Sequence, residues 1–125
     1  MWPLTKIISG GQTGVDQAGL KVGRLLGYQT GGMAPSNYWT ENGINQDLKD
    51  VYGLTECSTR GGYVDRTIWN AKNSDLTVWF GNPNSPGGKL TLKHAKIFLI
   101  NPDAKRLRAF VEDQNVKVLN VAGNR

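Results

Sequence analysis

The sequence predicts an α/β fold of three layers, with helices on both faces of a mainly parallel sheet. Short apolar runs alternate with helical patterns along the chain, and glycine-rich loops follow two of the predicted strands. The 16 Gly and 5 Pro residues indicate many tight turns. Alternating strands and helices are typical of parallel sheets with helices on both sides. The length of 125 residues fits one domain, predicted to span residues 1–125.

Each element rests on a local pattern, since β-branched and aromatic runs favour strands and apolar residues three or four apart favour helices. Strands are predicted at residues 6–9, 76–80, 97–100 and 116–121, with a further short strand near 51–54. Helices are predicted at residues 14–26, 65–73 and 103–114, and in a short segment that ends at His94. Residues 35–63 are predicted to form a loop rich in Asn, Gly and Thr.

The first predicted helix has recognisable ends. Thr13 is interpreted as its N-cap, Asp16 as the partner in a capping box, and Gly27 as the residue that stops it. Its apolar face is predicted from the spacing of Val15, Ala18, Gly19, Val22, Leu25 and Leu26.

Composition excludes several classes of site. Cys57 is the single cysteine and His94 the single histidine, so neither an intramolecular disulfide nor a Cys/His zinc site is predicted, and no metal site is assigned. The chain has no apolar run long enough to span a membrane. The first residues lack a signal-peptide pattern, which predicts a cytoplasmic location.

The net charge of +5 is concentrated in one half of the chain. Residues 1–60 carry five basic and five acidic side chains, whereas residues 61–125 carry ten basic and five acidic ones. This excess indicates either an anionic partner or helix faces that are simply solvated by lysine and arginine. No block of consecutive basic residues marks a nucleic-acid-binding tail.

Two glycine loops lie between a predicted strand and a predicted helix. In that position glycines let the backbone approach a ligand, and free N–H groups at the helix start bind anions. The spacing matches neither the dinucleotide fingerprint nor a Walker loop. Because both loops follow strand ends, they predict one crevice for a phosphate-bearing ligand. Its candidate residues are Gly10, Gly11, Gln12, Thr13 and Gly14 in the first loop, and Gly87, Gly88, Lys89 and Thr91 in the second.

Residues between the loops supply candidate side chains. Arg66 and Asn70 are four apart and are predicted to share a helix face, where a guanidinium suits phosphate. Replacing Arg66 is expected to weaken binding and to leave the fold intact, unless Arg66 pairs with a surface aspartate. Arg60 is the second candidate for the anion contact. Trp39 is predicted to stack on a heterocycle, and Trp79 to lie in the core.

The order of the motifs is similar to that of a known family. The motifs are Ile7-Ile8-Ser9-Gly10-Gly11-Gln12-Thr13-Gly14-Val15-Asp16, Leu54-Thr55-Glu56, Arg66-Thr67-x-Trp69-Asn70, Asn73-Ser74-Asp75-x-Thr77 and Asn120-Val121-Ala122-Gly123. The chain resembles the molybdenum-cofactor carrier proteins of the SLOG superfamily, which are Rossmann-like nucleotide binders. The resemblance covers most of the chain, and its opening decapeptide is specific.

The resemblance implies a Rossmann-like three-layer sandwich, a homo-oligomer and a pocket built from both glycine loops and the Arg-Thr-x-Trp-Asn helix. Carried over by position, it favours nine residues as ligand-binding: Gly10, Gly11, Gln12, Thr13, Arg66, Asn70, Gly87, Gly88 and Thr91. It implies molybdenum cofactor as one bound ligand, and no resident cofactor is otherwise assigned. The same superfamily includes sensors of ADP-ribose-derived immune signals, so sequestration of such a signal is a second expected role.

Hydrolases of this superfamily, which release cytokinin bases from nucleotides, carry a catalytic Glu in a Pro-Gly-Gly-x-Gly-Thr-x-x-Glu motif. The matching run here is Pro86-Gly87-Gly88-Lys89-Leu90-Thr91-Leu92-Lys93-His94. His94 therefore replaces the acid, which argues against turnover, and no catalytic residue is assigned. The leading hypothesis is a non-catalytic binding protein for a phosphorylated, nucleotide-like small molecule.

Two alternatives stay open. One is a nucleoside-monophosphate phosphoribohydrolase that depends on Glu56 or His94. The other is a nucleic-acid binder, suggested by a pI near 9.5. The chain has no regularly spaced aromatic series for stacking on bases, which argues against the second.

Overall fold

The structure, a computed structural model, describes residues 1–58 and 62–125. The strands are β1 (Lys6–Ile8), β2 (Gln29–Gly31), β3 (Met33–Ala34), β4 (Trp39–Thr40), β5 (Gly43–Ile44), β6 (Thr55–Glu56), β7 (Leu76–Phe80), β8 (Phe98–Ile100) and β9 (Val118–Gly123). The helices are α1 (Val15–Leu25), α2 (Asp47–Asp50), α3 (Tyr63–Lys72), α4 (Pro86–His94) and α5 (Ala104–Asp113), with a 3₁₀ turn at Ser36–Tyr38.

Five parallel strands form the central sheet, in the order β2-β1-β9-β7-β8. Helices α1 and α5 pack on one face, whereas α3 and α4 cover the other. The predicted α/β sandwich with a mainly parallel sheet is therefore confirmed, and it is a Rossmann-like arrangement. Strand β9 lies between β1 and β7 although it comes last in the sequence.

The main core lies between the sheet and the face that carries α1 and α5. Leu76 and Val78 of β7 and Leu119 of β9 are buried there against Val111 of α5. Because side chains alternate along a strand, Thr77 and Trp79 of β7 point to the opposite face. That face carries the polar cavity described below.

A second core lies beneath residues 34–57, where Leu20, Ala34, Tyr38, Leu48 and Leu54 are buried together. The segment predicted as a loop therefore folds around its own apolar residues. Within it, β6 pairs in parallel with the preceding strand β3, and β4 pairs antiparallel with β5. The short strand predicted near residues 51–54 does not form at those positions, since residues 51 and 52 form a turn and the strand β6 begins directly afterwards, at Thr55.

Helix α1 ends as predicted but begins differently. Gly27 has a φ of 84° and donates its N–H to the carbonyl of Arg24, which terminates the helix. The predicted capping box is wrong, because Gly14 is the N-cap and no side chain caps the helix. The Thr13 hydroxyl instead donates to Glu41 at 3.0 Å.

The apolar face of α1 is mostly exposed, with Leu25 at 85 % and Leu26 at 68 %. The buried positions are Asp16, Leu20 and Gly23, because the helix lies against β1 and β2 through Gly23 and against the second core through Leu20. Val15, Ala18, Val22 and Leu26 border a groove of about 500 Å³ between α1 and α5.

Two further differences come from short, polar or shifted strands. Strand β2, Gln29–Gly31, was not predicted, because a Gln-Thr-Gly edge strand lacks an apolar run. The last strand lies two residues later than predicted, at Val118–Gly123.

Helix α5 matches its prediction, and its N-cap Asp103 accepts from the N–H of Arg106 at 2.7 Å. Outside residues 59–61, none of the helices is both long and apolar enough to cross a membrane.

Candidate functional site

A small polar cavity lies over the carboxyl-terminal halves of β7 and β9, on the sheet face that α3 and α4 cover, and is called here the inner cavity. Its volume is about 40 Å³. Both glycine loops, helix α3 and the sheet contribute to its wall. Its lining includes Gly10, Asp16, Tyr63, Arg66, Thr67, Asn70, Trp79, Gly87, Thr91, Asn120, Ala122 and Gly123. The topology therefore brings the two loops to one crevice, because the carboxyl ends of parallel strands lie at the same edge of the sheet, and β1 and β7 are separated there by β9 alone.

Two larger depressions open beside the inner cavity. One, of about 280 Å³, is lined by Ser85 and Gly87 at the start of α4, together with Arg125. The other, of about 210 Å³, is lined by Gln12, Trp39 and again Arg125, among others. Tyr63 borders the inner cavity and both depressions, so its ring lies where the three meet.

Arg66 and Asp16 form an ion pair in the wall of the inner cavity. Arg66 Nη1 lies 3.5 Å from Asp16 Oδ2, and each side chain is 8 % exposed. The same carboxylate oxygen accepts from the backbone N–H of Gln12 at 3.2 Å. The guanidinium also lies over the Tyr63 ring, 4.8 Å from its centroid. Gly10 makes room for this arrangement, since a Cβ there would collide with Arg66 Nη1.

Burial dominates the electrostatics of this pair. Burial raises the pKa of Asp16 to about 6, although Arg66 and the N–H of Gln12 both oppose that rise. Burial likewise lowers the pKa of Arg66, which Asp16 partly offsets. The arginine stays charged at neutral pH because its pKa starts far above 7. The carboxylate of Asp16 is therefore the group of this pair that titrates near neutrality.

The raised pKa of Asp16 predicts a specific pH dependence of stability. The folded protein holds this proton up to about pH 6, whereas the unfolded chain releases it near pH 4. Stability is therefore lost as pH rises through this window, on the order of 3 kcal/mol in total. Urea unfolding of wild type and Asp16→Asn between pH 4 and 7 measures it. The wild type should lose stability relative to the variant as pH rises, and parallel curves would contradict the assignment.

Other predicted residues support the loops. Gly11 has a φ of 76°, and a Cβ there would lie 2.9 Å from Leu48. A Cβ on Gly88 would lie 2.6 Å from the carbonyl of Pro83, and the Gly88 N–H is taken by the N-cap Ser85. A Cβ on Gly14 would meet the backbone of Arg125. These glycines shape the crevice rather than line the inner cavity.

The predicted polar residues lie in different places. Gln12 lines an outer depression and donates from Nε2 to the carbonyl of Trp39 at 3.1 Å. Asn70 lines the inner cavity, but its amide is engaged by the backbone N–H and carbonyl of Met33. Lys89 is exposed on α4, and no described cavity includes it. Arg60 lies outside the described residues.

Trp39 lies at the rim of one outer depression and is 58 % exposed. Its role as a stacking residue stays a prediction. Trp79 is 3 % exposed, as expected for a core residue, yet its indole N–H has no partner among the described residues. The strand pattern predicted burial but not the unpaired donor.

Arg125 is a site residue that sequence reasoning missed. Its Nη1 lies 2.8 Å from Glu41 Oε1, and the two side chains are 45 % and 50 % exposed. Exposed pairs contribute little to stability, so this one can open at small cost. Asp16, Tyr63 and Asn120 were also missed as site residues. Asn120 lies in the Asn-Val-Ala-Gly motif, and this motif is the sequence feature from which its place in the site could have been predicted.

Over residues 1–58 and 62–125, no group of three His, Cys, Asp or Glu side chains is placed to hold a metal ion. The protein can recognise a polar ligand in two ways. Backbone N–H groups at the start of α4 border an outer depression, and the paired side chains of Arg66 and Asp16 line the inner cavity.

The comparisons with known proteins agree with this fold. Residues 7–125 match the model of the circularly permutated YpsA SLOG family. A solved structure from Syntrophus aciditrophicus, named "Putative molybdenum carrier protein", superimposes with a TM-score of 0.85 at 31% sequence identity. The match covers 98% of this chain and 84% of that one. No curated protein matches the sequence significantly. The chain therefore belongs to the circularly permutated YpsA SLOG family.

Proposed function

We propose that this protein binds a phosphorylated, nucleotide-like small molecule in the crevice between its two glycine loops, and releases it unchanged. The observation that carries the proposal is the convergence of Gly10, Gly87 and the buried Arg66 on one polar cavity. Ligand sites are typically concave and lined by a few convergent polar groups.

The outer depressions supply the phosphate contacts. Gly87 is the second residue of α4, where backbone N–H groups have no partner within the helix. The start of a helix attracts anions, and the Arg125 guanidinium borders the same depression. A phosphate that displaces Glu41 from Arg125 replaces one exposed ion pair by another, at little net cost.

Two roles fit such binding. The name of the structural relative supports carriage of a molybdopterin-type cofactor. Sequestration of an ADP-ribose-derived immune signal rests on the superfamily resemblance and on the same phosphate-binding geometry. Both roles require a ligand that is held and not cleaved.

One incubation experiment tests both roles. The protein is mixed with ADP-ribose, AMP or molybdopterin, freed of unbound ligand by gel filtration, and then heated to release what it holds. We expect mass spectrometry to recover one of these molecules intact and in stoichiometric amount. Recovery of a cleaved product would contradict the proposal, as would the failure of all three to co-elute.

The variant Gly87→Ala tests whether the bound molecule lies at the loops. A Cβ on Gly87 would lie 2.7 Å from the hydroxyl of Tyr63, and would fill the start of α4. We expect affinity for the retained molecule to fall about 10-fold or more, since displacing packed atoms costs about 1–3 kcal/mol. Gly31→Ala is the matched control, because Gly31, like Gly87, has no positive φ, and a Cβ there first meets the flexible end of the Lys6 side chain, at 3.1 Å. Equal loss in both variants would show an effect on stability rather than on binding.

A hydrolase remains the second candidate, and one observation favours it. Asp16 is a buried carboxylate in the inner cavity with a pKa raised to about 6, and shifted groups of this kind often mark catalysis. Glu56 and His94 do not line this cavity. If the wild type releases adenine from AMP and Asp16→Asn does not, the result would favour the enzyme. Recovery of intact AMP from the wild type favours the binding protein.

A further inference from the structure

The inner cavity has hydrogen-bonding capacity that the protein itself does not use. Among the described residues, three buried side-chain atoms have no partner: Arg66 Nε, Trp79 Nε1 and Asn120 Oδ1. All three side chains line the inner cavity, and their residues are 7 %, 3 % and 2 % exposed. Buried polar atoms are nearly always satisfied, so three around one small space indicate a missing partner.

The sheet register explains why these atoms share one space. Thr77 of β7 lies opposite Asn120 of β9, and Trp79 lies opposite Ala122. Trp79 and Asn120 are therefore diagonal neighbours on the face that α3 and Arg66 cover. The small side chain of Ala122 leaves room beside the indole. Asn120 Nδ2 donates to Thr77 Oγ1 at 3.2 Å, which leaves the amide oxygen as the free group.

The unpaired atoms have a defined chemistry of two donors and one acceptor. A hydroxyl oxygen accepts two hydrogen bonds and donates one, so a single hydroxyl satisfies all three atoms. An ionised phosphate only accepts, and would bring negative charge against Asn120 Oδ1 and the Asp16 carboxylate. Because Asp16 already pairs with Arg66, the inner cavity holds no uncompensated positive charge from this pair that would favour an anion.

We propose, on the basis of the proposed function, that the inner cavity binds one sugar hydroxyl of the phosphorylated ligand. The hydroxyl accepts from Arg66 Nε and Trp79 Nε1 and donates to Asn120 Oδ1. A volume of about 40 Å³ admits a hydroxyl and the carbon that bears it, since a water needs about 10–15 Å³ on this measure. The phosphates then lie in the outer depressions. The inner cavity therefore recognises the sugar of the ligand, and the glycine loops bind its charged phosphates.

Titration calorimetry with ADP-ribose and with inorganic pyrophosphate tests this assignment. Trp79→Phe removes one donor and keeps an aromatic ring in the strand. We expect affinity for ADP-ribose to fall about 10- to 100-fold, and affinity for pyrophosphate, which has no sugar, to stay unchanged. Trp69→Phe is the matched control, because Trp69 lies on α3 but is 39 % exposed and does not line the inner cavity.

Deoxy analogues of ADP-ribose give the same test without any change to the protein. Each analogue lacks one ribose hydroxyl, and we expect one of them to bind the wild type about 10- to 100-fold more weakly than ADP-ribose. That analogue should lose little further affinity for Trp79→Phe, since the indole N–H and the missing hydroxyl act as one interaction. This arm remains decisive if the variant does not fold.

The possible outcomes separate the two proposals. Equal ADP-ribose affinity in wild type and Trp79→Phe, or equal affinity of all deoxy analogues, overturns the hydroxyl site and leaves the binding function standing. A complex in which a water molecule bridges the three atoms overturns it as well. Failure of the wild type to bind ADP-ribose overturns the hydroxyl site, whereas the proposed function is overturned only if AMP and molybdopterin also fail to bind.

Discussion

Arg66→Met is expected to lower the free energy of unfolding by about 3 kcal/mol at pH 7, because removal of one partner from a buried ion pair leaves the other uncompensated. The Asp16 carboxylate is the group left behind, with the N–H of Gln12 as its one other described partner. Methionine keeps the aliphatic stem, so the loss reports the charge and its contact with the Tyr63 ring rather than packing. Chemical unfolding followed by circular dichroism measures it.

This expectation corrects the sequence-based one, in which Arg66 faces an open pocket and its loss leaves the fold intact. Arg66 is 7 % exposed and is paired with a residue that sequence analysis interpreted as a helix cap.

Two controls isolate the ion pair. The double variant Arg66→Met, Asp16→Asn should recover much of the loss, because it removes both charges together. Lowering the pH to 5 should also reduce the loss, since it neutralises the carboxylate that the variant leaves unpaired. Lys72→Met, at an exposed position of the same helix, should have little effect. Equal destabilisation by Arg66→Met and the double variant would show that the pair contributes nothing as a pair.

Gly32→Ala is expected to destabilise the protein by about 3 kcal/mol or more, through strain and overpacking together. Gly32 has a φ of 118°, and a Cβ there would collide with the backbone of Ser9 and approach Asn70 Oδ1. Backbone cannot move aside as a flexible side chain can. The substitution would push β1 and the first glycine loop away from α3, so ligand binding should weaken as well.

Gly43→Ala is the matched control for this prediction. Its φ is 98°, but a Cβ there meets nothing within 4 Å, so it reports backbone strain alone. We expect a loss of about 1 kcal/mol for Gly43→Ala. A thermal unfolding comparison decides the matter, and similar midpoints for the two variants would mean that the contact with Ser9 is relieved at no cost.

The central sheet could be predicted from the sequence because each of its long strands has its own pattern. Leu76 to Phe80 is β-branched and aromatic and is buried as expected, and Asp103 begins α5 as a side-chain cap. Strand β2 could not be predicted in this way, since Gln29, Thr30 and Gly31 become a strand only by pairing with β1. Tertiary pairing decided its conformation where local propensity did not.

The candidate site was predictable in its backbone and less so in its side chains. The glycine loops follow strands, and the parallel topology alone places Gly10 and Gly87 together. The partner of Arg66 could not be deduced, because Asp16 lies on another helix and its spacing from Thr13 resembles a capping box. Nor does any local pattern show that Trp79 and Asn120 become neighbours, since only the register of β7 with β9 determines it.

The position of β9 has a consequence for how the protein is made. Residues 118–123 pair with both β1 and β7, so the middle of the sheet is supplied by the segment that is translated after all other strands. Until then β1 has β2 as its one neighbour in the sheet, and a two-stranded ribbon is barely stable alone. Closing the pair of β1 with β9 joins segments separated by nearly the whole chain, which slows folding. Before β9 is in place, the edges of β1 and β7 that will face it therefore have no partner strand between them, and unpaired edges of this kind are prone to aggregate.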